Sequence, residues 1–317
     1  MNKKVFVTRN IPAVGLDILR GKGFEVDVWS KKRAPSRREL IRELRSKPYD
    51  AVLCLLTDTI DAEIFDAAPS VKIYANYAAG MDNIDIVEAT KRGITVTNTP
   101  NVSSQAVAEH AVALMLGLTT RMVEADAFMR KGKYIGWDPM NLIGTDLSGK
   151  VVGIVGTGSI GSHTARIMKH GFGARIIYFD AKPNEEIESS LGAVRFENID
   201  DLLAESDFVS LHVPLLESTH HLLNANRLHL MKRSAFLINT SRGPVVDEDA
   251  LVQALKDGVI AGAGLDVFEH EPRLARGLSK LSNVILTPHI ASARQSIRDQ
   301  MAVAAAGKII DHLSLAL

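Results

Sequence analysis

The chain has 317 residues, enough for about two domains, and its 46% hydrophobic and 23% charged residues are the balance of an ordinary water-soluble protein. Lysine plus arginine equals aspartate plus glutamate at 37 each, so no global field recruits nucleic acid or an anionic membrane, and neither is expected as a partner. A single cysteine excludes an internal disulfide framework and a multi-cysteine metal site.

The opening MNKKVFVTRN passes straight into a strand pattern, with no secretory-type apolar segment behind its lysines. No run approaches the roughly 18 consecutive apolar residues of a membrane span, and a cytoplasmic protein is expected. Over residues 4–96, β-rich runs (VFVT, FEVDVW, AVLCLL, VKIYANY, ITVTN) alternate with helical patterns, which argues a parallel α/β domain. Pro12 is expected in a helix's first turn, where its missing N–H costs little. The basic cluster Lys31, Lys32, Arg33, Arg37 and Arg38 resembles a polyanion site. Glu39 and Glu43 interleave with Arg42 and Lys47 at helical pair spacing, however, so a solvated helix face is the better reading. Cys54, inside an apolar run, reads as a small core residue rather than a nucleophile.

Asn98-Thr99-Pro100-Asn101 breaks the pattern and marks a first domain crossing. The following SSQAVAEHAVALMLGL is apolar on nearly all faces, so it is expected to be a helix buried between domains or in a subunit contact. Glu109 and His110 within it point about 100° apart and are assigned to structural hydrogen bonds.

The stretch from Val151 to Asp180 has a defined chemistry. A short apolar run reaches Gly156, and Gly156-x-Gly158-x-x-Gly161 opens a helical pattern containing Ser159 and Ile160. Gly156 suits a tight turn, Gly158 lets a pyrophosphate approach the backbone, and Gly161 lets the helix pack on the strand. The free N–H groups at the helix start favour negative charge. The next apolar run ends on Asp180, where a dinucleotide site places a carboxylate on the adenosine ribose. Asp180 would repel a 2′-phosphate and no arginine follows at 181 or 182, so NAD is expected over NADP. Tyr178-x-x-x-Lys182 matches a short-chain dehydrogenase pair, but at a strand end the two would share no helical face; a core tyrosine and a surface lysine are expected.

Strand patterns AVRF, FVSLHV, AFLIN, IAGAGLDV and NVILTP follow, then a long helix from Ala293 to Leu313 that returns to the first domain. The expected architecture is α/β, two doubly wound parallel-sheet domains. A Rossmann NAD-binding domain (101–289) is inserted in a flavodoxin-like substrate domain (1–100 and 290–317). Ligands in such sheets lie beyond the carboxyl ends of strands. This singles out Val213-Pro214, Thr240-Ser241-Arg242-Gly243, Asp266 to Pro272 and Pro288-His289, an acid and base set beside an anion clamp.

Along nearly its whole length the chain resembles the D-isomer-specific 2-hydroxyacid dehydrogenases. The matching stretches are NYAAGMDNID from Asn76, VAEH from Val107, VGIVGTGSIG, NTSRG from Asn239, GLDVFEHEP from Gly264 and TPHI from Thr287. The resemblance implies that Arg242 holds the substrate carboxylate and carbonyl, that His289 is the acid/base, and that Glu271 pairs with that histidine and favours its charged form. It implies substrate contacts from Leu55 and from the backbone of Ala79, Gly80 and Met81. Cofactor contacts would come from Val107, the glycine loop, Asp180, Val213, Pro214, Thr240, Arg242, Asp266 and His289. A homodimer built through the cofactor domains is implied as well.

Leu55-Leu56-Thr57 stands where phosphoglycerate dehydrogenases carry a basic residue, and Glu271 where the formate dehydrogenase branch has glutamine. KVFVTRNIP, DAAPSVKIYANYAAGMDNID and GWDP (136–139) look like glyoxylate or hydroxypyruvate reductases, while Met81 departs from the usual aromatic or small residue. Reduction of a small 2-oxo acid with NADH, and the reverse oxidation, is therefore expected. The alternative is an NAD(H)-sensing, corepressor-like binding protein of the same fold, which would keep the same triad.

Overall fold

The structure is a computed structural model that describes residues 3–314. One compact unit is built from the chain up to Ser103 and from Ala293 onward, and the other runs Ser104–Ser292. In the first, β1 (Lys4–Val7), α1 (Ala13–Gly21), β2 (Glu25–Val28), α2 (Arg37–Ser46), β3 (Ala51–Leu55), α3 (Ala62–Ala67), β4 (Ile73–Tyr77), α4 (Ile86–Lys91) and β5 (Thr95–Thr97) alternate. They form a five-stranded sheet, order β2-β1-β3-β4-β5, with every pairing parallel.

Side chains alternate across each of these strands, as a sheet covered on both faces requires. Val5, Val7, Leu53, Ile73 and Ala75 face one way, Phe6, Val52, Cys54 and Tyr74 the other. The first face is covered by α1 and by the C-terminal helix Gln295–Ser314, whose Ala302, Ala305, Ala306 and Ile309 are buried there. A Cβ on Gly15 would sit 2.8 Å from the Ala302 Cβ, so the missing side chain is what lets the two helices touch. Cys54 is fully buried, and burial pushes its thiol well up.

Two local expectations change. Pro12 is the N-cap of α1, just outside the helix. Three of the five members of the basic cluster are paired, but between elements rather than along one helix face. Lys31 and Arg33 reach Glu39 (both 2.6 Å), Arg37 reaches Asp61 (2.8 Å) and Glu63 (2.6 Å), and Lys47 reaches Asp27 (2.7 Å). Glu39 also closes a capping box with Ser36.

The second unit continues with α5 (Ser104–Thr119), α6 (Met122–Arg130), β6 (Val151–Val155), α7 (Ser159–Phe172), β7 (Arg175–Phe179), α8 (Glu185–Leu191), β8 (Val194–Arg195), α9 (Ile199–Glu205), β9 (Phe208–Leu211), α10 (Ala225–Leu230), β10 (Phe236–Asn239), α11 (Glu248–Lys256), β11 (Gly262–Leu265) and β12 (Val284–Leu286); the C-terminal helix is α12. Seven parallel strands lie in the order β12-β11-β10-β9-β6-β7-β8. Strand order reverses between β6 and β9, the switch point at which such sheets open a ligand crevice.

The apolar helix α5 is buried inside this unit, where the sequence pointed to a domain or subunit contact. Ala111, Leu114, Met115 and Leu118 join Ile154, Ala165, Met168 and Ile238 in one core. Gly264 carries no side chain because a Cβ there would lie 2.9 Å from that of Leu114. Among the described residues no single helix is long and apolar enough to cross a membrane.

Candidate active site

The glycine loop sits at the switch point. Gly156 has φ 91, a left-handed conformation that glycine adopts without strain, and a Cβ there would be 2.9 Å from the His212 carbonyl at the end of β9. A Cβ on Gly161 would be 2.0 Å from the Gly156 oxygen, so α7 could not start where it does with any other residue. Gly158 opens onto empty space and is the N-cap of α7, with no side chain accepting from the helix's first turn. Ser159 is exposed beside it and Ile160 half-buried. The N-terminus of this 14-residue helix thus starts uncapped at the open position of Gly158, with the helix dipole behind it.

Asp180 follows β7. Its Oδ2 accepts from the Thr157 backbone N–H (2.6 Å) and hydroxyl (3.0 Å), and its Oδ1 from the Lys182 N–H (3.3 Å). These groups line an open cleft of about 610 Å³ with Gly158, Pro183, Asn184 and Glu185. The sequence reading passed over Thr157, Lys182 and Asn184 here; Asn184 Nδ2 donates to the Thr157 carbonyl at 2.8 Å. Tyr178 is fully buried with its hydroxyl between Asn184 N–H and Glu188, and Lys182 is exposed, as a core tyrosine and a surface lysine should be.

Val213 and Pro214 follow β9 directly after His212, whose imidazole burial pushes down to about 3. Thr240, after β10, is buried and its Oγ1 has no partner among the described residues. Val107 is buried in α5.

Asn239 shapes the turn that presents Arg242. Its Nδ2 donates to the Arg242 carbonyl (2.9 Å) and its Oδ1 accepts from Ser241 N–H (3.0 Å) and Oγ (2.8 Å). A Cβ on Gly243 would fall 1.9 Å from the Phe268 carbonyl carbon, so this turn lies directly on the segment after β11. That segment carries Glu271, whose Oε1 accepts from Phe268 N–H at 3.1 Å and whose Oε2 is 3.1 Å from His289 Nδ1. Burial pushes the Glu271 carboxyl up, but His289, the Phe268 N–H and the nearby Arg242 charge outweigh it and hold it below the ordinary value. Arg242, Glu271 and His289, chosen from sequence, are brought together on three adjacent strand ends.

Asp266, expected among cofactor contacts, is fully buried beneath the His289 turn. Its Oδ1 accepts from Thr287 Oγ1 (2.6 Å) and Ile290 N–H (2.9 Å) and lies 3.5 Å from His110 Nε2, while its Oδ2 accepts from Ala291 N–H (2.8 Å). Burial alone would raise its pKa, yet these donors hold it below the ordinary range. His110 also meets Thr287 at 3.0 Å, and Glu109 accepts from Gln105 at 2.8 Å, so both act as structural hydrogen bonders. His289 itself has φ 53, a left-handed conformation uncommon for a residue with a side chain.

In the first unit, the loop after β4 carries Ala79, Gly80 and Met81. The buried Asn76 donates to the Gly80 carbonyl (2.9 Å) and to Asn83 Oδ1 (2.9 Å). Asn83 in turn donates to the Leu55 carbonyl (3.1 Å), fixing this loop to the end of β3. Ala79 and Met81 are exposed, and Gly80 and Leu55 half-buried. The sequence reading did not single out Asn76 and Asn83 for this role.

Open space over Gly158, an uncapped α7 N-terminus and the orphaned Thr240 hydroxyl fit a dinucleotide, and the fold with its acid, base and guanidinium at the strand ends defines a nicotinamide-dependent oxidoreductase. Residues 112–291 match the family model for the D-isomer-specific 2-hydroxyacid dehydrogenase NAD-binding domain. The glyoxylate reductase of Korarchaeum cryptofilum is 51% identical over 312 residues, 98% of this chain and 92% of that one. Among solved structures, the TT0316 protein from Thermus thermophilus aligns with a TM-score of 0.91 at 40% identity, over 98% of this chain and 97% of that one. An NADPH-dependent glyoxylate/hydroxypyruvate reductase from Sinorhizobium meliloti, in complex with NADP and malonate, aligns at 0.88 and 32%, over 99% and 94%. The chain belongs to the D-isomer-specific 2-hydroxyacid dehydrogenase family and is an NAD(P)-dependent enzyme of it.

Asp266→Asn should expose the importance of the buried carboxylate, because an amide NH₂ would meet backbone N–H donors where an acceptor is needed. A loss of about 2–3 kcal/mol is expected in denaturant unfolding at neutral pH. A carboxyl with a depressed folded pKa stabilises above its unfolded value of about 3.9 and loses that contribution as pH falls through the folded value. The gap between wild type and variant should therefore narrow in acid; a gap independent of pH would contradict this account.

Proposed function

We propose that this enzyme reduces a small 2-oxo acid of the glyoxylate or hydroxypyruvate type to the D-2-hydroxy acid with NADH, and runs the reverse oxidation. The observation that carries the reading is the 3.1 Å contact of His289 Nδ1 with Glu271 Oε2, with Arg242 on the neighbouring strand end. When bound, the nicotinamide supplies the hydride to C2. His289 gives the substrate oxygen its proton from Nε2, since Glu271 occupies the Nδ1 side of the ring and sets its orientation. Arg242 offers a planar fork of donors to the carboxylate and carbonyl, which a lysine could not match. The backbone N–H groups of Ala79, Gly80 and Met81 and the side chain of Leu55 are assigned to the substrate as further contacts.

The name shared by relatives near half identity, glyoxylate reductase, supports a small substrate. The absence of a basic residue at 55–57 disfavours a phosphorylated one. Dinucleotide contacts fall to Val107, Gly156, Gly158, Ser159, Ile160, Gly161, Val213, Pro214 and Thr240, with Arg242 and His289 at the nicotinamide end. Asp266 would serve that end through the turn it fixes. Asp180 favours a ribose diol over a 2′-phosphate, and hence NAD. A homodimer through the cofactor domain is supported by α6 and the segment after it, where Met122, Met129, Ile135, Trp137 and Met140 are all exposed, Ile135 fully and Trp137 at 83%. An open cavity of about 510 Å³ lined by Leu118, Val123, Ala127, Ile143 and Ile285 adjoins them.

His289→Ala should lower turnover of glyoxylate or hydroxypyruvate by about two to four orders of magnitude while NADH binding, followed by fluorescence, is kept. Near-normal turnover would remove the histidine from the mechanism, and negligible NADH oxidation by wild type across a panel of 2-oxo acids would favour a sensor. NADH should be preferred over NADPH in kcat/KM by about tenfold or more, the effect of ~1.4 kcal/mol of like-charge repulsion, and Asp180→Ala should narrow the ratio. Sedimentation should give a dimer that Trp137→Asp weakens; a wild-type monomer would dismiss the interface.

A further inference from the structure

Among the described residues, one group of three metal-ligating side chains gathers outside those given a role above. His220, His221 and Glu269 hold their ligand atoms within 4.8 Å of one another. His221 Nε2 is 2.8 Å from Glu269 Oε1, and the two imidazoles stack with centroids 4.1 Å apart and planes tilted by 26°. The histidines follow the 3-10 turn Glu217–Thr219 beyond β9, and Glu269 follows β11, so loops 48 residues apart supply the donors.

An ion pair would account for His221 and Glu269 but not for a second imidazole laid against the first. The backbone under two of the donors is fixed. His221 has φ 47 and its N–H donates to the Pro244 carbonyl at 2.8 Å. The Glu269 N–H donates to the buried Glu248 Oε1 at 2.7 Å, and Glu269 Oε2 accepts from Glu248 N–H at 3.3 Å. The third donor, His220, is exposed, and its ring can turn toward the other two.

We propose that His220, His221 and Glu269 bind a divalent transition-metal ion of the zinc class through two imidazole nitrogens and one carboxylate oxygen. Zinc takes nitrogen at about 2.0–2.1 Å and carboxylate oxygen at about 2.0–2.2 Å, so ligand atoms around a tetrahedral ion stand roughly 3.4 Å apart. The His221–Glu269 contact must open by only about half an ångström to admit it, and His220 must swing inward. Imidazole ligands select zinc, copper or nickel, whereas magnesium and calcium ask for more oxygen ligands than this group offers. The fourth position is left to water. A bound ion ties the loop after β9 to the segment that also carries Glu271, and it takes no part in hydride transfer.

Chelator-treated full-length protein titrated calorimetrically with zinc chloride, and melted with zinc or with magnesium, tests the site. The expected result is one saturable zinc per chain, a higher melting temperature with zinc only, and affinity at least about tenfold weaker in His220→Asn. His220 is exposed, and an unchanged melting temperature of the variant in chelator verifies its fold. Cobalt should give a tetrahedral visible band that the same variant diminishes. His289 and Glu271 form a second histidine–carboxylate pair, so equal zinc affinity and stoichiometry in His220→Asn would place the ion elsewhere and overturn the proposal. Absence of saturable binding in wild type would overturn it too; neither result touches the assignment of the reaction.

Discussion

A buried negative charge at Asp266 is the fixed point on which the catalytic side of the second unit is built. A carboxylate without exposure is tolerable only if donors surround it, since an uncompensated one costs several kcal/mol. Here the donors are Thr287, Ile290, Ala291 and His110, three of them in the turn that carries His289. The turn cannot relax without stranding the charge. That explains how His289 is held at φ 53, an uncommon conformation for a residue with a side chain. His110 draws α5 into the same network, so the helix that opens the unit braces the loop that closes it.

Parallel pairing does the remaining alignment. Ile154, Ser210 and Ile238 are in register across β6, β9 and β10, and Ile238 with Gly264 and Ile285 across β11 and β12. All five strands therefore end at one edge of the sheet, and the chain leaves each end carrying a polar group. Backbone contact then sets the finer spacing. Gly243 against Phe268 brings the Arg242 turn onto the Glu271 segment, as Gly161 against the Gly156 carbonyl brings α7 onto β6. In both places a methyl group would occupy the position of a backbone atom.

These features differ in how far the sequence displays them. The glycine loop and the acid after β7 are legible because their chemistry depends on local spacing; strand patterns locate the strand ends that carry Arg242, Glu271 and His289, and the family resemblance singles these three out. The ion pairs of Glu39 were not, since Lys31 and Arg33 meet it through the path of a loop and not through a helical period. The burial of α5 was legible, but not what buries it, because a helix apolar on all sides does not name its neighbours. The position of Asp266 beside the site was evident, but that its carboxylate is held by the His289 turn is a property of the folded loop. The roles of Asn76, Asn83 and Asn239 were not legible for the same reason, since these amides take as partners backbone groups of a turn not yet formed.

Asp180 shows why a carboxylate at the proposed ribose position is not an independent specificity element. One of its oxygens holds both the N–H and the hydroxyl of Thr157, the residue between the first two glycines. The end of β7 and the start of the glycine loop are thereby one piece, further tied by Asn184 to the Thr157 carbonyl. Removing the charge to admit a 2′-phosphate would also release the loop, so affinity for either dinucleotide would fall along with the discrimination between them. A change that keeps the Thr157 bonds and adds positive charge near Lys182 would separate the two effects. A preference between the two dinucleotides set at Asp180 would rest on the same hydrogen bonds as the shape of this cleft.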